Sequence, residues 1–339
     1  MSQRVKTDEL DVTMTIEKWP FLHPLQITGY TFNDCEYGVV ELRAGDLVGR
    51  GECFGVYYLN DDVAHCKAQI EAVADRLRQG ITREELLEIL PAGGARNAVD
   101  CALWDLEAKQ LGRPAWQIAG LSQPRPLRTT YTLGAEDPTH MAERARSYVH
   151  ARALKLKLTG TGEDAERLRA VRAARPDVWI AVDGNQGFDR ASLEALMPTL
   201  IGANVQLVEQ PFPRGHDADL DGFASPIALA ADESAQDIGD LPQLAGRYDV
   251  VNIKLDKCGG LTRGLAMHAE ARRLGMKTMV GCMGGTSLAM APGFLLGQRC
   301  EIVDLDGPIF LAKDRAPSVV YDDEGCIFSP ETVWGGANF

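Results

Sequence analysis

The sequence of 339 residues lacks a long apolar run, a basic stripe and any CxxC pair of cysteines. No apolar run approaches the roughly 20 residues that a membrane helix needs, and the start, MSQRVKTDELDVTMTIEKWP, has no apolar core, so neither a membrane span nor a signal peptide is expected. The eight cysteines are expected to be reduced thiols, as in a cytoplasmic protein. The net charge of −13 comes from scattered acidic residues and disfavours a nucleic-acid partner.

Two patterns divide the chain. In the first part, apolar and polar residues alternate on both sides of Ala44-Gly45-Asp46, which indicates a hairpin, and helices are expected at 61–79, 83–89 and 95–110. After residue 126, eight short apolar runs alternate with segments of helical periodicity, which predicts parallel strands joined by crossover helices. Eight such strands indicate a closed (β/α) barrel of the α/β class, and the tail is expected to pack on the first part.

Three consecutive predicted strands each end in a carboxylate. Asp183 ends VWIAVD, Glu209 ends VQLVE and Asp232 ends PIALAAD. The carboxyl ends of barrel strands share one mouth, so the three carboxylates are expected to meet there and repel one another. A hard divalent cation relieves this repulsion, and oxygen ligands without a Cys/His cluster favour Mg²⁺ over Zn²⁺.

Lysines end two other predicted strands. Lys155 and Lys157 share one face of ALKLK because residues i and i+2 of a strand point the same way, and Lys254 ends a strand roughly opposite in the barrel. Burial and like-charge repulsion are expected to lower a lysine pKa, and a neutral lysine is a general base. Lys157 and Lys254 thus have the geometry of a two-base racemisation, whereas Lys257 is expected to be an ordinary surface lysine.

Together these motifs resemble the enolase superfamily, specifically its muconate-lactonizing subgroup. The segments that carry the resemblance are KLK (155–157), VDGNQGF (182–188), VEQP (208–211), ADES (231–234) and NIKLDKCGG (252–260). The resemblance implies a modified (β/α)7β barrel at 123–312, covered by an α+β capping domain made of 1–122 and 313–339. It also implies a homo-oligomer with one Mg²⁺ per subunit.

The resemblance also implies residue roles. Mg²⁺ would lie on Asp183, Glu209 and Asp232, and Lys157 and Lys254 would form the acid/base pair. Lys155 would help to position the substrate carboxylate and would tune Lys157.

Within that subgroup, Asp304-Leu305-Asp306 resembles the DxD motif with which dipeptide epimerases bind a free α-ammonium, and Thr132 matches a substrate-contacting position. Two departures concern specificity. Gln26 stands where alanyl-glutamate epimerases carry an arginine, and Cys282-Met283-Gly284-Gly285 stands where a Met-x-Glu pattern is usual. A neutral amide cannot replace a bidentate guanidinium, so the side-chain preference stays open.

The segment GRGECFGVYYLNDD is expected to form a second capping loop. In it, Phe54, Tyr57 and Tyr58 could form an aromatic lid over the distal side of the substrate, and Arg50 could pair with a distal carboxylate. Such loops exclude water when substrate binds.

The favoured function is a Mg²⁺-dependent epimerase or racemase that removes and returns the proton next to a carboxylate of a small molecule. A dipeptide epimerase acting on L,L- or L,D-dipeptides fits best. An N-acylamino acid racemase, for example for N-acylglutamate, is the near alternative. A dehydratase or cycloisomerase shares the enediolate intermediate, although the DxD motif argues against it. A barrel that only binds ligand is disfavoured by the retention of both lysines and all three carboxylates.

Overall fold

The computed structural model describes residues 10–337. Residues 1–9 and 338–339, which the sequence analysis assigned to the capping domain, lie outside the described residues. Within 10–337, no helix is long and apolar enough to cross a membrane.

The first part of the chain is a three-stranded antiparallel sheet with helices on one side. Its strands are β1 (Asp11–Ile27), β2 (Tyr30–Ala44) and β3 (Leu47–Cys53). Its helices are α1 (Val63–Ala72), α2 (Ala74–Arg78), α3 (Arg83–Ile89), α4 (Gly94–Leu111) and α5 (Ala115–Ile118). The hairpin at Gly45 and the helix at 83–89 are confirmed, and the single helix expected at 61–79 is two helices. The long strand β1 was not predicted.

Local chemistry explains these elements. Thr82 and Glu85 form a reciprocal capping box at the start of α3, and Gly112 ends α4 in a left-handed conformation. The α4 helix packs directly on β3, so closely that a Cβ at Gly51 would lie 2.0 Å from the Ala98 carbonyl oxygen. Only glycine permits this close approach, which holds the sheet against the helix.

A barrel of eight parallel strands follows the short strand β4 (Leu127–Arg128). The strands are β5 (Tyr131–Leu133), β6 (Ala153–Lys157), β7 (Trp179–Asp183), β8 (Val205–Glu209), β9 (Ala228–Ala231), β10 (Val250–Lys254), β11 (Lys277–Gly281) and β12 (Ile302–Asp304). They neighbour one another in sequence order, which confirms the predicted barrel. Between the last and first strands, Thr130 N, just before β5, donates to Val303 O at 3.0 Å, so the barrel is nearly closed.

Seven connections join the eight strands, as in a (β/α)7β barrel. Their helices are α6 (Pro138–Ser147), α7 (Asp164–Ala174), α8 (Arg190–Gly202), α9 (Leu241–Leu244), α10 (Leu255–Cys258), α11 (Leu261–Arg273) and α12 (Ser287–Gly297). Between β8 and β9 the described chain forms only a 3-10 turn at Asp217–Leu220. This connection therefore departs from the crossover helices expected between the strands.

The tail joins both parts of the molecule. Its strands β13 (Val320–Tyr321) and β14 (Cys326–Phe328) form an antiparallel sheet with β4. Further on, Trp334 Nε1 donates to the carbonyl oxygens of Arg50 at 3.0 Å and Cys101 at 3.1 Å in the first part. The predicted return of the tail is therefore confirmed, with an added sheet beside the barrel that the sequence did not indicate.

Two loops of the first part are anchored on the carboxyl ends of the barrel strands. Thr28 Oγ1, in the β1–β2 turn, donates to Leu158 O at 3.0 Å, just past β6. The buried carboxylate of Asp256, just past β10, accepts from the backbone N–H groups of Phe54 at 3.0 Å and Gly55 at 3.1 Å. These bonds place the cap directly over the barrel mouth.

Candidate active site

Three carboxylates meet in the barrel mouth as predicted. Asp183 and Glu209 end β7 and β8, and Asp232 follows β9 directly; each is at most 1% exposed. Each offers an oxygen within 4.8 Å of the others. We call these residues the acidic triad.

The electrostatics of the acidic triad suit a cation. Burial and the neighbouring charge of Asp183 raise the pKa of Glu209 to about 8. Glu209 Oε1 accepts from Asn252 Nδ2 at 2.6 Å, but Glu209 Oε2 is buried without a hydrogen-bond partner among the described residues. A buried acceptor without a partner is costly, so a hard divalent cation fits this donor set well.

The two predicted acid/base lysines lie on opposite sides of the acidic triad. Lys157 Nζ, on β6, lies 2.6 Å from Asp183 Oδ2, and Lys254 Nζ, on β10, lies 2.6 Å from Asp232 Oδ2. The barrel order places the three triad strands between them. Both lysines line the same cavity. One molecule in this cavity can therefore face both ammonium groups.

The lowering of the pKa expected for the Lys155–Lys157 pair is not found at Lys155, and the pKa of Lys254 is raised as well. Burial lowers the pKa of Lys254, but the surrounding carboxylates, Asp232 foremost, outweigh burial and hold the pKa well above its ordinary value. The same balance, with Asp304 foremost, raises the pKa of Lys155. The sequence showed like charges side by side on one strand, but not the carboxylates of other strands that surround them.

Lys257 is also placed differently from the prediction. It is 2% exposed rather than on the surface, and its Nζ lies 2.6 Å from Asp232 Oδ1. The short helix α10 follows β10 directly and brings Lys257 to Asp232 of the acidic triad. Asn252, which donates to Glu209, was missed as well, although strand alternation puts it on the same face as Lys254.

The DxD motif is divided between two partners. Asp304 accepts from Lys155 Nζ and from Thr130 Oγ1, so it is already paired with a buried cation. Asp306 Oδ2 accepts from the backbone N–H of Thr132 at 2.7 Å, and both residues line the cavity. Burial and the charge of Asp304 raise the pKa of Asp306 to about 6. Asp306 is thus the member of the pair that has no cationic side chain bonded to it in the described structure.

The cap closes the cavity with an apolar surface. Phe54 and Tyr57 line the cavity as predicted for the second capping loop, and the Tyr57 ring lies 5.4 Å from that of Phe32 on β2. Further apolar side chains come from β1 and from the segment after β12. We call the following six residues the cap wall: Leu25, Ile27, Phe32, Phe54, Tyr57 and Phe310.

Two specificity residues lie elsewhere than expected. Gln26 belongs to β1 and is exposed, and Leu25 and Ile27 on either side of it line the cavity instead. Successive strand residues point to opposite faces, so Gln26 is turned outward. Arg50 lies on β3 and is not among the residues that line the cavity; its backbone binds Asp105 and Trp334.

The segment after β11 lines the cavity as predicted, through Cys282, Met283 and Gly284. Gly284 and Gly285 have φ values of 156° and 135°, which side chains rarely adopt. A Cβ at Gly285 would lie 2.6 Å from Ala289 Cβ, so glycine is required there by both conformation and space. The backbone therefore approaches the cavity where a larger side chain would have narrowed it.

This fold and this site define a class: a capped (β/α)7β barrel with a buried carboxylate cluster able to hold a metal ion and a lysine on each side of that cluster. Residues 9–120 match the family described as "Mandelate racemase / muconate lactonizing enzyme, N-terminal domain", and residues 140–330 match "Enolase C-terminal domain-like". The chain belongs to the enolase superfamily, in its mandelate racemase and muconate lactonizing enzyme branch.

Two characterised relatives cover nearly the whole chain. It is 39% identical to the L-Ala-D/L-Glu epimerase of Escherichia coli (strain K12), over 90% of this chain and 95% of that protein. It is also 39% identical to the N-acetyl-D-glutamate racemase of Pseudoalteromonas sp., over 88% of this chain and 95% of that protein.

Solved structures agree with this placement. An enolase family member from Agrobacterium tumefaciens, with bound sodium and L-Ala-L-Glu, is 42% identical and superposes with a TM-score of 0.93, over 96% of this chain and 100% of that one. The dipeptide epimerase of Methylococcus capsulatus, complexed with Mg and L-Arg-D-Lys, is 30% identical with a TM-score of 0.89, over 96% of this chain and 98% of that one.

Proposed function

We propose that this protein is a Mg²⁺-dependent epimerase that inverts the α-carbon next to the carboxylate of a dipeptide. The observation that carries the proposal is the placement of Lys157 and Lys254 on opposite sides of the acidic triad within one cavity. Inversion needs a base on one face of the α-carbon and an acid on the other, and two lysines supply both. The epimerases among its relatives support this function.

The acidic triad would hold one Mg²⁺. Each of its residues offers one oxygen within 4.8 Å of the others, and Glu209 Oε2 accepts no hydrogen bond from the described residues, which leaves it available to a cation. Bound there, Mg²⁺ supplies positive charge that stabilises the negative charge on the substrate carboxylate once the α-proton has left. The same carboxylates pair with Lys157 and Lys254, so cation binding and the charge of the lysines are coupled.

The lysines move the proton. One lysine, once its Nζ has released its own proton, takes the α-proton, and the electron pair of the C–H bond passes into the carboxylate group. The other lysine, charged at Nζ, gives a proton to the opposite face of the α-carbon. One proton leaves and one is returned, so the product differs only in configuration. In the reverse direction the two lysines exchange roles.

A dipeptide substrate is favoured by Asp306. Its carboxylate lines the cavity on the β12 side, across the barrel mouth from the acidic triad. An ammonium group there would pair with Asp306, while the substrate carboxylate lies at the metal on the other side. Lys155, held by Asp304, would help to position the substrate carboxylate, and Thr132 would contact the peptide.

Racemisation of an N-acylamino acid is the second candidate. The relative named N-acetyl-D-glutamate racemase is as similar to the chain as the epimerase from Escherichia coli. The pairing of Asp304 with Lys155 also leaves one carboxylate, rather than two, for an ammonium group. An acyl group, which has no positive charge, would need neither.

Hydrogen exchange in D₂O tests both candidates. The protein with Mg²⁺ is incubated with a set of dipeptides and the matching N-acetylamino acids, and α-deuterium and configuration are followed by mass spectrometry and NMR. We expect dipeptides to exchange and invert. Exchange of the N-acetyl compounds alone would favour the racemase. If dipeptides are the substrates, Asp306→Asn should slow their exchange and leave the exchange of any reactive N-acetyl compounds unchanged. A general loss of structure would slow both.

We further propose that residues 1–122 and 313–339 act as the capping domain and 123–312 as the catalytic barrel. The tail contacts at Trp334 and the cap position over the mouth support this division. We also propose a cytoplasmic homo-oligomer. All eight cysteines are free thiols, as expected in a reducing compartment. Sedimentation of the purified protein measures its assembly.

A further inference from the structure

The epimerised residue has only one direction in which its side chain can extend. After proton loss the α-carbon is planar and carries the carboxylate, the nitrogen and the side chain. The lysines lie above and below this plane, on β6 and β10, while the acidic triad lies on β7 to β9 and Asp306 lies beyond β12. With the carboxylate and the nitrogen directed to those two sides, the side chain must point along the barrel axis.

The lower end of that axis is filled. Inside the barrel, Ala181, Leu207 and Met279 form a layer that is at most 1% exposed, together with residues of β9 and β10. Above the mouth lies the cavity, which is closed by the cap wall. The side chain of the reacting residue therefore extends toward the cap wall.

The cap wall offers no counter-charge to an acidic side chain. Among residues 10–337, no arginine or histidine lines the cavity, and its cations are Lys155, Lys157 and Lys254 at the floor, each paired with a carboxylate. The tyrosine hydroxyls of the cavity are neutral donors. A carboxylate buried without a paired charge is unfavourable, whereas an apolar group gains from leaving water.

The cap wall is also held in shape by its own contacts. The Phe32 ring lies 5.4 Å from Tyr57 and 6.3 Å from Phe54, and the Phe54 ring lies 5.6 Å from Tyr37. Such edge-to-face contacts keep the rings in place without a ligand. The apolar surface is thus already formed, and water on it would be released by an apolar side chain.

From this geometry we infer that the substrates are compounds whose epimerised residue is apolar or aromatic, rather than glutamate. The inference rests on the proposed function and holds for a dipeptide or an N-acylamino acid, because the side chain points to the cap wall in both. It sets this chain apart from the relatives whose names or bound molecules contain glutamate.

The first test compares side chains on the wild-type protein. Exchange at the C-terminal α-carbon is measured in D₂O with Mg²⁺ for L-Ala-L-Phe, L-Ala-L-Leu and L-Ala-L-Glu, and for N-acetyl-L-Phe and N-acetyl-L-Glu. We expect kcat/KM for the apolar member of each series to exceed that for glutamate by on the order of 100-fold. Equal or faster exchange of glutamate would overturn the inference and leave the proposed function standing. Exchange of none of the compounds would overturn both.

A charge placed in the cap wall provides the second test. Phe32→Arg should raise kcat/KM for L-Ala-L-Glu relative to L-Ala-L-Phe by about 10-fold or more, since it supplies the missing cation. Phe32→Leu should keep the apolar ranking. Thr31→Arg is the matched control, because Thr31 is exposed on the other face of β2 and should leave the ratio unchanged. A ratio that moves equally in both arginine variants would contradict a role of the cap wall.

Discussion

Replacing Lys254 with methionine separates the two proton transfers. The change removes one ammonium group but keeps the length of the side chain. Asp232 loses its 2.6 Å contact at Oδ2 and keeps the equally short contact of Lys257 at Oδ1. The acidic triad should therefore stay intact, and Lys157 on the opposite side is untouched. The variant has a base on one face of the substrate only.

We expect epimerisation by Lys254→Met to fall by at least about 10³-fold, within the range known for loss of a general acid or base. This corresponds to about 4 kcal/mol in the activation free energy. Exchange without inversion should survive for the epimer whose α-proton faces Lys157. The other epimer should lose exchange. Lys157→Met should show the opposite pattern.

The assay follows each epimer of one active dipeptide separately in D₂O. Mass spectrometry gives deuterium at the α-carbon, and chiral chromatography gives configuration. Lys257→Met is the control. Because Lys257 is a buried ion-pair partner, its loss should lower the free energy of unfolding by about 3–5 kcal/mol. Because Lys257 does not line the cavity, its loss should affect the two epimers alike. Epimerisation by Lys254→Met at the wild-type rate, or equal loss for both epimers, would refute the two-base mechanism.

Removal of the metal and three further substitutions test the surroundings of the site. Chelation should abolish exchange, and added Mg²⁺ should restore it. Mg²⁺ should also raise the unfolding temperature of the wild type, because a ligand of the folded state stabilises that state. Glu209→Gln should lose this rise. Arg315→Met should lower the free energy of unfolding in denaturant by about 3–5 kcal/mol, because the buried Glu52 carboxylate loses its cation at 2.8 Å. Burial raises the pKa of Asp256 to about 7, so the folded state keeps a proton that the unfolded state has released. The free energy of unfolding of the wild type therefore falls as the pH rises between about 4 and 8. Asp256→Asn, which does not titrate, should become more stable relative to the wild type over this range.

Each of these changes has a result that would contradict it. A Mg²⁺-dependent rise in the unfolding temperature of Glu209→Gln would argue against the acidic triad as the metal site. Lys313→Met is the control for Arg315→Met, because Lys313 lies over the same Trp19 ring, at 5.6 Å; an equal loss would rule out the ion pair as the cause. Parallel pH profiles for Asp256→Asn and the wild type would contradict the raised pKa.

The barrel and its chemical groups could be predicted because their signals are local. Strand alternation put Lys155 and Lys157 on one face, and the end of an apolar run marked Asp183, which lies at the mouth with the rest of the acidic triad. The carboxyl ends of all strands in a parallel barrel lie at the same end, independent of the lengths of the loops between them. A short sequence window is therefore enough to place such residues at the mouth.

What each group meets in the mouth was decided by the tertiary structure. Lys155 pairs with Asp304 across 149 positions of sequence, and this contact raises the lysine pKa that local repulsion was expected to lower. Lys257 is buried because α10 places its ammonium group against Asp232 and the carbonyl oxygen of Asn252. Leu25 faces the cavity and its neighbour Gln26 faces outward, and which of the two faces inward depends on the register of β1 with β2. Burial and pairing are properties of segments brought together from distant parts of the chain. The sequence therefore determined which candidate groups reach the mouth, and the three-dimensional contacts decided their charge and the apolar cap wall that faces them.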